Sequence, residues 1–233
     1  MQDISASDNL KDYQKKMVHN RRIIAQAKAI MTRAKGAGIP DRFMRINQKD
    51  FESILDPSYH KDISKMSEYI YHHPMHFIKR GFIIIDGGDV LARKIAGFAV
   101  LFRIIACDKY GQHQPCAELV HQLQSIRSYD GPNRNDIADV LKDTDTIFIS
   151  ECLREHFRQN FETGSFFDEI LGHRDDHQKP TIISFTRPLA GKNGNTDNVL
   201  TEIDQYGQYL CLISQTDQNK DKRFFRIRVK TNA

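Results

Sequence analysis

The sequence lacks the segments that place a protein in a membrane or send it out of the cell. No stretch of its 233 residues approaches the roughly 18 to 20 consecutive apolar residues that a membrane-spanning helix needs. The polar start, MQDISASDNLKDYQKK, has no apolar core of a secretory signal. These absences predict a cytoplasmic protein that does not associate with a membrane.

Clusters of metal ligands are also missing. The four cysteines are far apart, at Cys107, Cys116, Cys152 and Cys211. Without a CxxC pair they form neither a zinc ribbon nor a dithiol redox motif. His72, His73 and His76 are close together, but Pro74 interrupts helical ligand spacing and no nearby Cys or acid completes a shell. The sequence predicts no metal site.

Acidic residues are scarce between residues 10 and 35, where eight Lys or Arg accompany a single Asp. The whole chain carries only +4, so the remainder is close to neutral and the basic charge is local. In the same segment the apolar residues recur at helical spacing and lie on one side of a helix. They are Leu10, Tyr13, Met17, Ile24 and Met31. The pattern predicts a basic amphipathic helix.

This helix has two interpretations. Its apolar side packs either in the groove of a partner protein or on the chain's own body. Its cations Lys15, Lys16, Arg21 and Arg22 are candidates for contacts with DNA phosphates. The glycines and proline of residues 36–40 should end the helix, so we predict a docking segment at 1–35 and a second domain at 36–233.

Three apolar runs, at residues 81–85, 146–149 and 181–185, have the composition of strands buried on both faces. Helical segments are predicted between them, at 90–107, 116–127, 137–141 and 153–172, the last interrupted at 163–164. This alternation predicts a three-layer α/β fold with a parallel sheet. Residues 223–230 alternate apolar and basic residues, which predicts a strand with Arg226, Arg228 and Lys230 on a cationic outer face. These three residues would either contact DNA or protect a strand edge from aggregation.

The turn after the first predicted strand resembles a phosphate-binding loop but lacks parts of it. Such a loop follows GxxxxGK[ST], with glycines for close backbone approach, a Lys for the phosphates and a hydroxyl for magnesium. Counted from Gly87, Arg93 takes the place of the Lys and Lys94 that of the hydroxyl residue. Counted from Gly88, Lys94 is the Lys, but Arg93 replaces the second glycine. Neither register satisfies the motif, although Arg93 and Lys94 would still hold a phosphate unless they simply face solvent.

Two later positions complete the comparison with an ATPase. The strand that supplies a magnesium-linked Asp and a catalytic carboxylate ends here in Ser150 and Glu151. The base is kept and the metal ligand is lost, although Glu151 would equally cap the next helix or pair with Arg154. Thr186 stands where a polar residue would contact the γ-phosphate. We therefore expect no nucleotide cofactor, with ATP and Mg as the alternative.

The order of these pieces resembles the AAA+ domain of DnaC-type helicase loaders and their IstB-like relatives over residues 36–190. The matching segments include 38–43, 82–85, 117–119, 146–151, 166–171 and 179–184. The resemblance implies an N-terminal helical module that binds a replicative hexameric helicase or its loader, and single-stranded DNA as a further partner. It suggests a replication protein that docks without hydrolysing ATP. The alternatives are a loader with an unorthodox phosphate loop and a DNA-binding regulator of transposition.

Overall fold

Helices and strands alternate along most of the chain in the computed structural model, which describes residues 6–74, 76, 81–125, 133–152, 161–186 and 224–230. The helices are α1 (Ala6–Gly36), α2 (Gln48–Ile54), α3 (Ile63–His72), α4 (Val90–Ala106), α5 (Cys116–Ser125), α6 (Arg134–Asp143) and α7 (Phe161–Asp176). The strands are β1 (Phe82–Gly87), β2 (Gly111–Pro115), β3 (Thr146–Cys152), β4 (Thr181–Phe185) and β5 (Phe224–Val229).

The five strands form one parallel sheet in the order β2-β3-β4-β1-β5. Side chains alternate between its faces, so Phe82 and Ile84 pack with α5, α6 and α7, whereas Ile83 and Ile85 pack with α1 to α4. The predicted parallel sheet and three-layer α/β fold are confirmed. The three predicted apolar strands are β1, β3 and β4, and the alternating segment near residue 230 is β5.

Strand β2 was not predicted, because its sequence, GQHQP, contains no β-branched or large apolar side chain. It lies at one edge of the sheet, pairs with β3, and is partly exposed along its whole length. On its outer side the His113 N–H donates to the Ala37 carbonyl oxygen at 2.8 Å. An edge position with such cover does not require the apolar residues of a central strand.

Helix α7 differs from the prediction, which placed an interruption at residues 163–164. The described helix is continuous from Phe161 to Asp176 and contains Gly164. A glycine within a helix costs about 1 kcal/mol. The burial of Phe166, Phe167 and Ile170 against the sheet outweighs this cost. The predicted beginning of this helix, residues 153–160, lies outside the described residues.

Helix α1 confirms the predicted N-terminal helix, but only its last turns contact the body. Ala34 is fully buried, Met31 is partly buried, and the Arg33 guanidinium pairs with the Asp108 carboxylate at 2.7 Å. All side chains of residues 15–29 are exposed. The chain then turns at Gly38, whose φ of 79° lies in the left-handed region that favours glycine.

No helix among the described residues has both the length and the apolarity needed to cross a bilayer.

Candidate functional site

The turn between β1 and α4 contains only two residues, Gly88 and Asp89. Gly87 and Gly88 have φ values of 79° and 54°, and both pack against β5. A Cβ on Gly87 would lie 2.6 Å from the Val229 carbonyl oxygen, and one on Gly88 would lie 2.6 Å from Val229 Cγ2. The backbone conformation and this close packing explain both glycines. A two-residue turn leaves no loop to wrap around a phosphate.

The amino end of α4 is capped by a carboxylate of the chain. Asp89 Oδ1 accepts a hydrogen bond from the Ala92 N–H at 2.7 Å. Phosphate sites at helix N-termini depend on free N–H groups and a favourable field for anions. Here one N–H is already used, and the Asp89 charge would repel a bound phosphate.

The Arg93 side chain is buried, with 3% of its surface exposed, and faces the turn and β3. Its Nη1 donates to the carbonyl oxygens of Gly87 at 2.9 Å and Gly88 at 2.6 Å. Its Nε and Nη2 donate to Glu151 Oε1 and Oε2 at 2.9 and 2.6 Å. The interpretation of Arg93 as a solvent-facing cation is therefore wrong, since its guanidinium cross-links the ends of β1 and β3.

Glu151 lies in a bulge of β3, where the pairing with β4 shifts between Ile149 and Cys152. Its φ of 58° is unusual for a residue with a side chain. Its N–H donates to Ser184 Oγ at 2.8 Å, and Ser184 Oγ lies 3.3 Å from Glu151 Oε1. Arg93 is the observed partner of the carboxylate, while the predicted partner Arg154 lies outside the described residues. The Arg93 guanidinium thus forms a bidentate pair with both oxygens of this carboxylate.

Ser150 makes a different contact, with its Oγ 2.8 Å from His113 Nε2. Burial, and to a smaller extent the charge of Lys94, lowers the pKa of His113 to about 4, so the imidazole is neutral at pH 7. The His113 ring also packs against Phe98 and Phe148, with centroids 4.6 and 5.1 Å away. His113 was not among the predicted site residues, because no periodicity or motif surrounds it in the sequence.

The third predicted position, Thr186, follows β4. Its N–H donates to the Cys152 carbonyl oxygen at 3.3 Å. Its Oγ1 is buried and makes no hydrogen bond within the described part of the chain. The structure thus brings Arg93 and Glu151 together with the two glycines and places Ser150 and Thr186 beside them in other contacts.

The basic residues of β5 do not form the predicted exposed face. Arg226 and Arg228 both pair with the fully buried Asp86 carboxylate, Arg228 Nη2 at 2.9 Å, and their side chains are only 9% and 14% exposed. The Tyr59 ring lies against both guanidinium groups, 5.3 and 4.8 Å from their central carbons. The prediction of exposure is wrong for these two residues, because the carboxylate at the end of β1 pairs with both. Lys230 alone is exposed.

The exposed part of α1 combines apolar and basic side chains. Met17, Val18, Ile23 and Ile24 are 39%, 65%, 50% and 55% exposed. The cations Lys15, Lys16, Arg21 and Arg22 are exposed as well. A shallow groove of about 470 Å³ lies on the helix, lined by Ile24, Ala27, Lys28, Met31, Thr32 and Lys35. The side chains of the other two predicted docking residues, Leu10 and Tyr13, lie outside the described residues.

No family model matches the sequence, and no curated protein matches it significantly. Solved structures match in fold. The structure of DnaI has 11% identity and a TM-score of 0.51, covering 82% of this chain and 90% of that one. The chain has a DnaI-like fold. AMPPCP-bound DnaA from Aquifex aeolicus gives a TM-score of 0.52 at 9% identity, over 78% of this chain and 50% of that chain. A DnaC helicase loader gives 0.48 at 11% identity, over 82% and 100%.

The DnaA structure of similar fold holds the nucleotide analogue AMPPCP, and the residues at the turn after β1 in this chain do not fit such a ligand. The carbonyl groups of Gly87 and Gly88 point inward to Arg93, where a phosphate needs N–H donors. Glu151 is paired with Arg93, and Ser150 is bound to His113. Elsewhere in the described ranges, no group of three His, Cys, Asp or Glu side chains is placed to hold a metal ion.

Proposed function

We propose that this chain is a DNA replication protein that docks through α1 on a replicative helicase or its loader and does not hydrolyse ATP. The uncovered apolar side of α1 is the observation that carries the proposal. The fold supports a role in replication, since DnaA, a replication initiator, shares it at a TM-score of 0.52. The closed turn after β1 supports the absence of ATP turnover.

The apolar side of α1 is continuous with the part that packs on the body. Ala34 and Met31 contact the core, and the same side continues to Ile24 and Met17, which are exposed. The fifteen exposed residues, 15–29, extend for about 22 Å. Helices derive most of their stability from packing an apolar side. A partner groove that covers Ile24 and Met17 would supply this packing.

The charge of α1 indicates the kind of groove that it fits. No Asp or Glu occurs between Asp12 and Asp41, so the helix has no ion pair within itself over that length. Arg33 and Lys35 pair with Asp108 and Asp41 of the body. The cations nearer the amino end make no ion pair within the described residues. An apolar groove with acidic edges is complementary to this surface.

The test is direct binding of the full chain to a purified hexameric helicase or loader. Ile24→Glu should weaken binding roughly 30-fold, the effect of losing a central interface residue worth about 2 kcal/mol. Val18→Glu is the matched control, because it adds the same charge at an exposed position on the other side of the helix. If Ile24→Glu and Val18→Glu bind as the parent does, docking does not use this side of α1.

DNA binding is the second candidate function, favoured by the exposed cations Lys15, Lys16, Arg21 and Arg22. Contacts with phosphates make binding depend steeply on salt. Replacing the four by Gln should then abolish salt-dependent binding of single-stranded DNA, whereas helicase binding should weaken less than it does in Ile24→Glu. Salt-dependent DNA binding that needs these residues, in a chain that binds no helicase or loader, would favour the transposition-regulator interpretation.

A further inference from the structure

Four oxygen atoms converge on the Arg93 guanidinium. Two are the carbonyl oxygens of Gly87 and Gly88, at 2.9 and 2.6 Å, and two belong to the Glu151 carboxylate, at 2.9 and 2.6 Å. Ser184 Oγ lies behind them, 3.3 Å from Glu151 Oε1. The four oxygen atoms come from the end of β1, from the turn after it and from β3, and the Ser184 hydroxyl comes from β4, which lies between these two strands. The shell with this hydroxyl therefore joins three neighbouring strands.

A shell of carbonyl and carboxylate oxygens is typical of sites for hard cations. It is unsuited to an anion, because none of the four atoms is a donor. Among the described residues, the positive group within it is the guanidinium, which is planar and donates from all three of its nitrogens. The charge of Glu151 is therefore neutralised, and the two carbonyl groups are satisfied, by one side chain of the same chain.

We propose that Arg93 is the resident cation of an all-oxygen site at the carboxyl ends of β1 and β3. The covalently attached guanidinium supplies the positive charge that a metal ion would supply in such a shell of oxygen atoms. The site therefore needs neither a metal nor a nucleotide to hold α4 against the sheet. This inference is independent of the docking role of α1.

The geometry explains why Arg93 would be hard to replace. With 3% exposure, its removal leaves a carboxylate and two carbonyl groups without partners in a site that water barely reaches. A lysine ammonium has three donors on a single nitrogen and cannot reproduce the four hydrogen bonds that the guanidinium makes. Glu151 also keeps its φ of 58°, a conformation that persists when surrounding contacts fix it.

The experiment removes the Arg93 guanidinium by mutation and adds other cations to the solution. In the full chain, Arg93→Ala should lower the midpoint of thermal unfolding by roughly 10 °C. Millimolar methylguanidinium, and separately Mg²⁺ or Ca²⁺, should restore much of this loss in Arg93→Ala while leaving the parent unchanged. The double variant Arg93→Ala/Glu151→Ala should show no such rescue, because the shell has lost its carboxylate.

Arg134→Ala is the matched control, since Arg134 is a partly exposed arginine 3.9 Å from the Glu169 carboxylate. It should lose little stability and respond to none of the added cations. Failure of all three cations to stabilise Arg93→Ala would overturn the proposal. Saturable Mg–ATP binding by the parent that disappears in Arg93→Ala would overturn it as well, because Arg93 would then be a nucleotide ligand.

Arg93→Lys keeps a positive charge and serves if Arg93→Ala does not fold. Its midpoint should fall below that of the parent, and amide hydrogen exchange should rise together in residues 87–89 and 150–152, the two segments that the guanidinium joins. Unchanged exchange in both segments would contradict the proposal. Helicase binding is measured separately on the α1 variants, so failure of one proposal does not imply failure of the other.

Discussion

His113 should make the stability of the protein depend on pH in mildly acidic solution. Its pKa falls from an ordinary 6.5 to about 4 in the folded chain, mainly through burial. Below pH 6.5 the unfolded chain takes up a proton on this residue, whereas the folded chain does so only near pH 4. The free energy of unfolding therefore decreases as the pH falls through this interval and is level below it. The two pKa values correspond to about 3 kcal/mol in total.

The surroundings of His113 explain why protonation of its imidazole is unfavourable in the folded chain. The imidazole packs between Phe98 and Phe148, and the charge of Lys94 opposes a second positive charge. Its Nε2 contacts Ser150 Oγ, a contact that a neutral ring makes either as donor or as acceptor. Protonation would place a cation against two aromatic rings and near the Lys94 ammonium, with the Ser150 hydroxyl as its hydrogen-bond partner.

The assay is urea unfolding at pH 7.5 and pH 4.5 of the parent and of His113→Gln, which keeps a polar group but does not titrate. The stability lost between the two pH values should be smaller in the variant by about 2 kcal/mol. His121→Gln, at an exposed position, should lose as much as the parent. Equal losses in His113→Gln and the parent would refute the reasoning.

Three further predictions concern packing and capping, each measured by urea unfolding at pH 7.5. Gly97→Ala places a Cβ 2.1 Å from Phe148 Cζ and should cost about 1 to 3 kcal/mol; a neutral effect would mean that α4 moves freely from β3. Asp89→Ala removes the cap of α4 and should cost about 1 kcal/mol, whereas Asp89→Asn should cost less. Arg174→Met removes five hydrogen bonds from a fully buried guanidinium and should cost about 3 to 5 kcal/mol; a loss below 1 kcal/mol would contradict this.

The central strands could be predicted because burial on both faces leaves a signature in the sequence. Residues 82–85 are a continuous apolar run and residues 181–185 a mostly apolar one, and the structure pairs them in parallel at the middle of the sheet. Strand β2 could not be predicted in this way, since an edge strand with partly exposed side chains needs no continuous apolar run. The continuity of α7 through Gly164 depends on packing against the sheet, which local propensity does not contain.

The candidate site was located by motif spacing, but its chemistry was not. Comparison with a nucleotide site made Arg93 and Glu151 candidate site residues, each by a separate motif. It did not indicate that they bind each other, since 58 positions separate them and no periodicity links them. Similarly, alternation along β5 predicted correctly that Arg226 and Arg228 lie on the same face of the strand. It did not indicate that the buried Asp86 carboxylate lies on that face as well. Such pairings depend on strand order, which only the folded sheet reveals.

The position of β5 has a consequence for how the chain folds. Arg226 pairs with Asp86 across 140 positions of sequence, so the partner of this carboxylate is synthesised long after β1. Until β5 adds to the sheet, Asp86 has to stay hydrated, and β1 has one open edge with unpaired amide groups. Forming such distant contacts is slow. The nascent protein should therefore pass through a period of vulnerability to aggregation that ends when its last described strand is in place.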